Sequence, residues 1–402
     1  MPELQKVTAG IDWEVLVNDS KTGCSPGNKK IERLIAEIQT RTPDLEIGED
    51  LELVELRIGV VNSYQELLDR STRAFEVSRK TAEDQGLVLM PIGYREADMN
   101  PAGGHVHAGS IADFRTAVEL HNKAIPFVPA LIALASSSPS LDRSYMSLRL
   151  KGNAGNCSSP VTGMSAEETL PRWGSDVCIK YPYKPTLELR AADSQPTPLL
   201  NAEIASLYIG LIARLSRLDK PVFKPDLIQY GLNRINACRN GMRATFIIEG
   251  EEITASEMII EYVIPLAVEG LSYFGTPHGP FELAENMAKK RISVADWVAY
   301  CIPVGTDPYV ASGELTRIFK AGMDIESWLL SQKECESAPF CGTVDYILDI
   351  IGVDTPLGFV QRYTPLPYLY TEKLVDKLVE EGKIKKKLGQ KNELLLDRID
   401  LI

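Results

Sequence analysis

The 402-residue chain is poor in histidine and cysteine, has no excess of positive charge and has no long apolar run; each shortage narrows what it can be. Its seven cysteines (Cys24, Cys157, Cys178, Cys238, Cys301, Cys335, Cys341) are scattered, odd in number and never spaced C-x-x-C. That pattern argues against a disulfide framework or a zinc ribbon and reads as reduced thiols in a cytoplasmic protein. Cys335 and Cys341 stand close together, but no histidine lies near to complete a metal site. With 55 acidic against 43 basic residues the formal net charge is -12, which argues against nucleic acid as a partner. The longest apolar run, around Ala130 to Ala135, is too short to span a bilayer. The opening residues, Met1-Pro2-Glu3-Leu4-Gln5-Lys6, lack the apolar stretch of a secretory signal. Internal repeats and low-complexity tracts are also missing.

What is present is a recurring short arrangement. Five segments place an apolar residue between two groups able to bind metal or phosphate: Asp12-Trp13-Glu14, Glu55-Leu56-Arg57, His105-Val106-His107, Arg149-Leu150-Lys151 and Glu188-Leu189-Arg190. On a β-strand, residues i and i+2 share a face while the residue between them points the other way. Each segment read as a strand therefore puts its polar pair on one side and a core anchor on the other. Taken singly, each also fits a strand with a solvated face. Lying in one sheet, they gather four carboxylates, two imidazoles and four cations, more charge than a wet face needs. Gly103-Gly104 beside His105 would let backbone come close to a ligand.

The rest of the pattern predicts strands at Thr8 to Val17, Leu51 to Val61, Val88 to Gly93, His105 to Ser110, Met146 to Leu150, Thr186 to Ala192 and Thr245 to Glu249. Helices are predicted over Lys29 to Gln39, 64 to 85 with Gly86 ending it, 113 to 135 and Leu199 to Leu218. Another opens at Ser256 and is kinked by Pro265. This order argues for an α+β protein, with an antiparallel sheet covered by helices on one side. Residues 1–275 form the expected catalytic domain. Residues 276–402 read as a mostly helical C-terminal region packed on it, with the basic run Lys383 to Lys391 at a solvated helix end.

Six stretches, in order, resemble a known family: Thr8 to Glu14, Val54 to Gly59, Gly104 to Gly109, Ala133 to Pro139 with Ser147-Leu148-Arg149, Thr186 to Asp193, and Asn233 to Gly241. Together they are similar to the type 2 glutamate–cysteine ligases, ATP-dependent carboxylate–amine ligases with a glutamine synthetase-like fold. The likeness covers roughly residues 8 to 270 and is faint beyond 275. It implies an antiparallel sheet curved into an active-site funnel. It also implies an amide bond made through an acyl-phosphate, with ATP cleaved to ADP and phosphate. Carried over position by position, Glu14 and Glu55 match metal ligands, and Asp12 stands where the family's first strand usually has Glu. His105 matches an imidazole ligand and Glu188 a late-strand carboxylate.

The implied chemistry explains these residue types. Phosphoryl transfer to a carboxylate brings two anions together, so divalent cations must neutralise the β- and γ-phosphates. Oxygen ligands suit Mg²⁺ or Mn²⁺. Arg149 and Arg190, permanently charged and fork-shaped, would clamp the γ-phosphate or a substrate carboxylate. Lys151 and Arg234 join Arg190 as candidates for holding the nucleotide, and Arg239 joins the catalytic candidates; Arg234 and Arg239 also fit plain surface cations on a helix. His107 is expected to hydrogen-bond a loop or the nucleotide. Asp193 fits a turn cap as well as a ligand, while His121 and His278 read as structural.

The segments Ser140 to Met146 and Ile92 to Arg95 depart from the family pattern, which implies altered substrate choice. The expected partners are a small carboxylate and an amine, both amino-acid-like, and a homo-oligomer is left open. The alternatives are a guanidino-type phosphotransferase on the same architecture, or a silent binding relative.

Overall fold

The computed structural model describes residues 6–152, 175–276, 279–322, 324–338, 348, 351, 353–358, 360, 368–389 and 393–399. His278, Cys157 and Cys341 therefore lie outside the described residues.

The first strands are β1 (Ala9–Asp19), β2 (Glu46–Asp50), β3 (Leu53–Arg57) and β4 (Leu87–Met90). A two-residue pair, β5 (Tyr94–Arg95) and β6 (Asn100–Pro101), precedes β7 (Gly104–Ala108), β8 (Val177–Ile179) and β9 (Leu187–Leu189). A seven-stranded sheet runs in the order β2-β3-β1-β7-β9-β8, and β4 pairs with the far half of β1. All its pairings are antiparallel. The architecture is α+β, as the element order predicts. Sequence reading missed β2, whose Glu46-Ile47-Gly48-Glu49-Asp50 is too polar to signal a strand. It forms because an edge hairpin needs apolar contact on one face only.

One face of the sheet is apolar throughout. Ile11, Trp13, Val15, Leu56, Val106, Leu187 and Leu189 are all buried. Trp13 stacks on Phe75 of the helix Tyr64–Asp84 with ring centroids 5.0 Å apart. That helix is capped by Ser63 accepting from Glu66 N, and Gly86, at φ +70°, lies just beyond its end.

Behind the sheet lies Pro198–Leu215, capped by Thr197 and apolar nearly all round. An all-round apolar helix either spans a membrane or fills a core. This one is long and apolar enough to cross a membrane, yet 83% of its apolar window is buried inside the fold. Tyr208 on it donates to Leu187 O of β9 at 3.4 Å. Gly210 and Gly270 let it cross Ile264–Leu271 backbone to backbone, since a Cβ on either would collide with the other helix. The turn before that second helix, Met258–Val263, is wound as a π-helix. Pro265, which follows, has no N–H for a regular bond to Glu261 O, so the expected kink becomes a local change of winding.

Two sequence expectations fail. Met146 to Leu150 is not a strand: Arg149-Leu150-Lys151 lies in a short helix, Leu148–Gly152, so the fifth polar pair does not share a face in the strand manner. Ser147 Oγ accepts from Leu150 N at 3.4 Å, a local cap that overrides the strand preference of the apolar residues. The basic run Lys383 to Lys391 departs as well. Helices Glu282–Lys290, Val294–Cys301, Pro308–Ala321 and Ile325–Ser331 match the helical expectation. Beyond them, β12 (Thr355–Pro356), β13 (Ile384–Leu388) and β14 (Leu394–Arg398) form an antiparallel sheet in the order β12-β14-β13. The basic run thus begins on a strand, because Gly382 at φ +70° turns the chain out of the helix Tyr368–Glu380.

Candidate functional site: the polar face of the sheet

Strand register sets the site. In β1, Asp12 lies opposite Arg57 on one side and His105 on the other, and Glu14 lies opposite Glu55. In β9, Glu188 lies opposite His107. Residues directly opposite in a ladder share a face. Asp12, Glu14, Glu55, Arg57, His105, His107 and Glu188 therefore all project from the side turned away from Trp13. Four of the five segments build this surface; from the fifth, on a helix, Arg149 adds its positive field to Glu14 and His105.

The side chains meet. His107 Nε2 is 3.0 Å from Asp12 Oδ2 and 3.5 Å from Glu188 Oε1, and its Nδ1 is 3.1 Å from Thr186 Oγ1. His105 Nδ1 lies 3.5 Å from Glu14 Oε1 and 3.9 Å from Glu188 Oε1. Glu14 Oε2 accepts from Gly103 N at 2.5 Å. A Cβ on Gly103 would strike His105, so this glycine makes room for the imidazole. Ligand atoms of Asp12, His107 and Glu188 lie within 4.8 Å of one another, a group able to hold a metal ion. His107 thus sits among the carboxylates, and its bond to Thr186, just ahead of β9, is the loop contact that the sequence suggested.

Burial governs the charges. Glu14 is pushed up to about 7, chiefly by loss of hydration, against the opposing Gly103 hydrogen bond and the positive field of Arg149. Glu55 is raised for the same first reason, offset in part by Arg57. For Asp12, burial would raise the value, but the hydrogen bond and charge of His107, aided by Lys184 and Arg57, bring it below the ordinary carboxylate range. His105 falls well below its usual value, first from burial and then from the positive field of Arg190 and Arg149. It is therefore a neutral imidazole at neutral pH, the form that ligates metals.

The donor set fits a hard divalent cation. Glu55 Oε2 and Glu188 Oε2 are buried and accept no hydrogen bond. Arg57 stands beside the first, and Lys180 Nζ is 2.8 Å from the second as an ion pair. Under-satisfied carboxylate oxygens beside two imidazoles form a donor set that a divalent cation would complete.

The basic candidates divide. Arg190 Nη1 pairs with Glu188 Oε1 at 2.9 Å, and the Arg190 side chain keeps 28% exposure, so it reaches solvent at the edge of the cluster. Arg149 is committed inward: its Nε donates to Asp193 Oδ1 at 3.0 Å and its Nη2 to Arg190 O and Ala192 O. Asp193 also accepts from Ser137 N, Ser138 Oγ and Ser147 Oγ, so its carboxylate is a saturated hub within the protein. Arg234 is not a surface cation; 2% exposed, it grips Asp176 with Nε at 2.6 Å and Nη2 at 3.0 Å. Lys151 Nζ and Arg239 Cζ lie 4.4 and 5.6 Å from the centre of the Tyr145 ring.

The departing segments also turn inward. Arg95 bonds Val17 O, Asn18 Oδ1 and Asp98, and Arg143 bonds Ala299 O and Ile302 O. Lys180 was missed by sequence reading. The signal was there: Cys178-Ile179-Lys180 alternates, and Cys178 lies opposite Glu188.

Fold and face together define a class: an α+β protein whose antiparallel sheet carries a carboxylate–imidazole cluster suited to divalent metal, flanked by cations suited to phosphate. No protein-family model matches the chain. It is similar to the protein named "Putative glutamate–cysteine ligase 2" from Paraburkholderia phytofirmans, at 30% identity over 229 residues, 51% of this chain and 61% of that relative. The relative of the same name from Paraburkholderia xenovorans gives the same figures. The chain thus spans about three-fifths of the length of these curated relatives. Among solved structures it is similar to PafA in complex with the prokaryotic ubiquitin-like protein Pup, with TM-score 0.46, 11% identity and coverage of 95% of this chain and 71% of that one. It is also similar to a glutamine synthase homologue, with TM-score 0.40, 15% identity, and 79% and 70% coverage.

Proposed function

We propose that this chain is an ATP-dependent carboxylate–amine ligase. It forms an amide between a small, amino-acid-like carboxylate and an amine through an acyl-phosphate. The observation that carries the reading is the polar sheet face, where carboxylates with unfilled acceptor capacity surround two imidazoles. Asp12, Glu14, Glu55, His105 and Glu188, with His107, would hold Mg²⁺ or Mn²⁺, which supplies the positive charge that lets one anion attack another.

The chain's own groups do the rest. Arg190, forked and partly exposed, is the group best placed to orient an anionic oxygen. Lys151 and Arg239, gathered on Tyr145, supply further positive charge for a polyphosphate tail. Arg149 acts as a positioning residue through Asp193 and the backbone of Arg190 and Ala192, and Arg234 has a structural role on Asp176. In the reaction the substrate carboxylate oxygen bonds the γ-phosphorus as ADP leaves. The amine nitrogen then bonds the acyl carbon as phosphate leaves, and the nitrogen gives up a proton to solvent.

The test is a panel of carboxylates and amines with ATP and Mg²⁺ or Mn²⁺, read by released phosphate. Release that needs both a carboxylate and an amine is expected. Release with a single acceptor would instead mean a phosphotransferase, and no metal-dependent release with any pair would remove the enzymatic reading.

A further inference from the structure

Glu188 is the point where the carboxylate–imidazole cluster touches the cations. Its Oε1 lies 2.9 Å from Arg190 Nη1, 3.5 Å from His107 Nε2 and 3.9 Å from His105 Nδ1. Its Oε2 lies 2.8 Å from Lys180 Nζ. The side chain is almost wholly enclosed, at 1% exposure, so these charges are only weakly screened by water. The two cations are not equivalent. Lys180 holds the oxygen away from the imidazoles and so fixes which one faces them. Arg190 sits on Oε1, the Glu188 oxygen that faces both imidazoles and the candidate ion position among Asp12, His107 and Glu188.

We infer that Arg190 and a divalent cation compete for Glu188 Oε1, while Lys180 pins Oε2, so that binding the metal and releasing the Arg190 fork toward an anionic substrate are one event. A guanidinium and a divalent ion on one carboxylate oxygen repel each other as like charges, and the metal's higher charge wins. The freed side chain is partly exposed and only two residues along the strand from Glu188, so it stays beside the metal where an anion would arrive. Metal and anionic substrate then help each other bind through this arginine, and a reciprocal coupling of this kind holds for binding whichever partner comes first. The inference rests on the ligase reading for the identity of the anion but not for the competition itself.

The opposite signs of two affinities test it. Mn²⁺ alone is titrated by calorimetry into the full chain and into Arg190→Gln and Arg190→Lys. ADP is then titrated at saturating Mn²⁺. Arg190→Gln is expected to bind Mn²⁺ about three- to tenfold tighter, the equivalent of ~0.7 to ~1.4 kcal/mol, and to bind ADP more weakly by a similar factor. Arg190→Lys, which keeps a charge but no fork, should show a smaller gain for Mn²⁺ and a clear loss for ADP. A merely structural arginine would weaken both ligands or neither.

Unchanged or weaker Mn²⁺ binding in both variants, with thermal midpoints near that of the natural chain, overturns the inference. Natural chain that binds no Mn²⁺ overturns it together with the ligase reading. Natural chain that binds Mn²⁺ but not ADP ends the ligase reading alone, and the Mn²⁺ arm still decides the competition.

Discussion

Two buried carboxylates five residues apart, Glu188 and Asp193, have opposite fates. Asp193 receives four donors from Ser137, Ser138, Ser147 and Arg149, leaving no capacity for anything else. Glu188 has cations on both sides and two imidazoles within 4 Å, yet its Oε2 accepts no hydrogen bond. The first is architecture: it ties the serine loop and the Arg149 helix to the end of β9. The second retains acceptor capacity for a ligand. Burial alone does not separate them. Glu203 makes the same point, since loss of hydration raises it to about 7 just as it raises Glu14, yet Glu203 accepts from Leu283 N and Ala284 N in the first turn of a helix. What distinguishes a site carboxylate is the company it keeps.

The largest effect should come from Glu188→Gln, which removes a metal oxygen while keeping shape. Metal-dependent ADP release and Mn²⁺ binding should both vanish, with some loss of stability because the enclosed Lys180 and Arg190 lose their anionic partner. Normal turnover would move Glu188 to the architectural side of the comparison. Asp193→Ala should do the reverse, costing about 3–5 kcal/mol in denaturant unfolding by leaving Arg149 buried without its partner. A loss below ~1 kcal/mol would mean that the hub is dispensable.

Glu203→Gln sharpens the third case. The folded value of about 7 lies above the ordinary 4.5, so between those values the folded chain binds more protons than the unfolded one. Stability should therefore fall as pH rises through that window, by roughly 3 kcal/mol at most. The glutamine variant should flatten the curve, and an unchanged pH slope would show that the burial cost is already met by the helix cap. The smallest effect is expected for Cys335→Ser, within about 0.5 kcal/mol and without loss of activity, because the thiol is half-buried and unpaired among the described cysteines. An inactive variant would revive a thiol role.

Much of the site was legible because its rule is local. Asp12-Trp13-Glu14, Glu55-Leu56-Arg57, His105-Val106-His107 and Glu188-Leu189-Arg190 needed only the two-residue period of a strand to separate polar groups from core anchors. The same rule misled at Arg149-Leu150-Lys151, where a serine cap changed the period; at Lys383 to Lys391 it was a helical reading that failed, where a glycine turn replaced helix by strand. It was silent on β2, too polar to read, and on Lys180, whose alternation is only one pair long.

The sequence by itself decided which side chains share a strand face and where the main helices are capped, since each depends on neighbours a few residues away. Only the tertiary structure decided that β1 lies between β3 and β7 and that Glu188 faces His107. It also decided that Arg149 and Arg234 are spent on Asp193 and Asp176 while Arg190 keeps a free edge. Those outcomes rest on pairings between residues tens to hundreds of positions apart, which close only when the apolar face has packed and fixed the register.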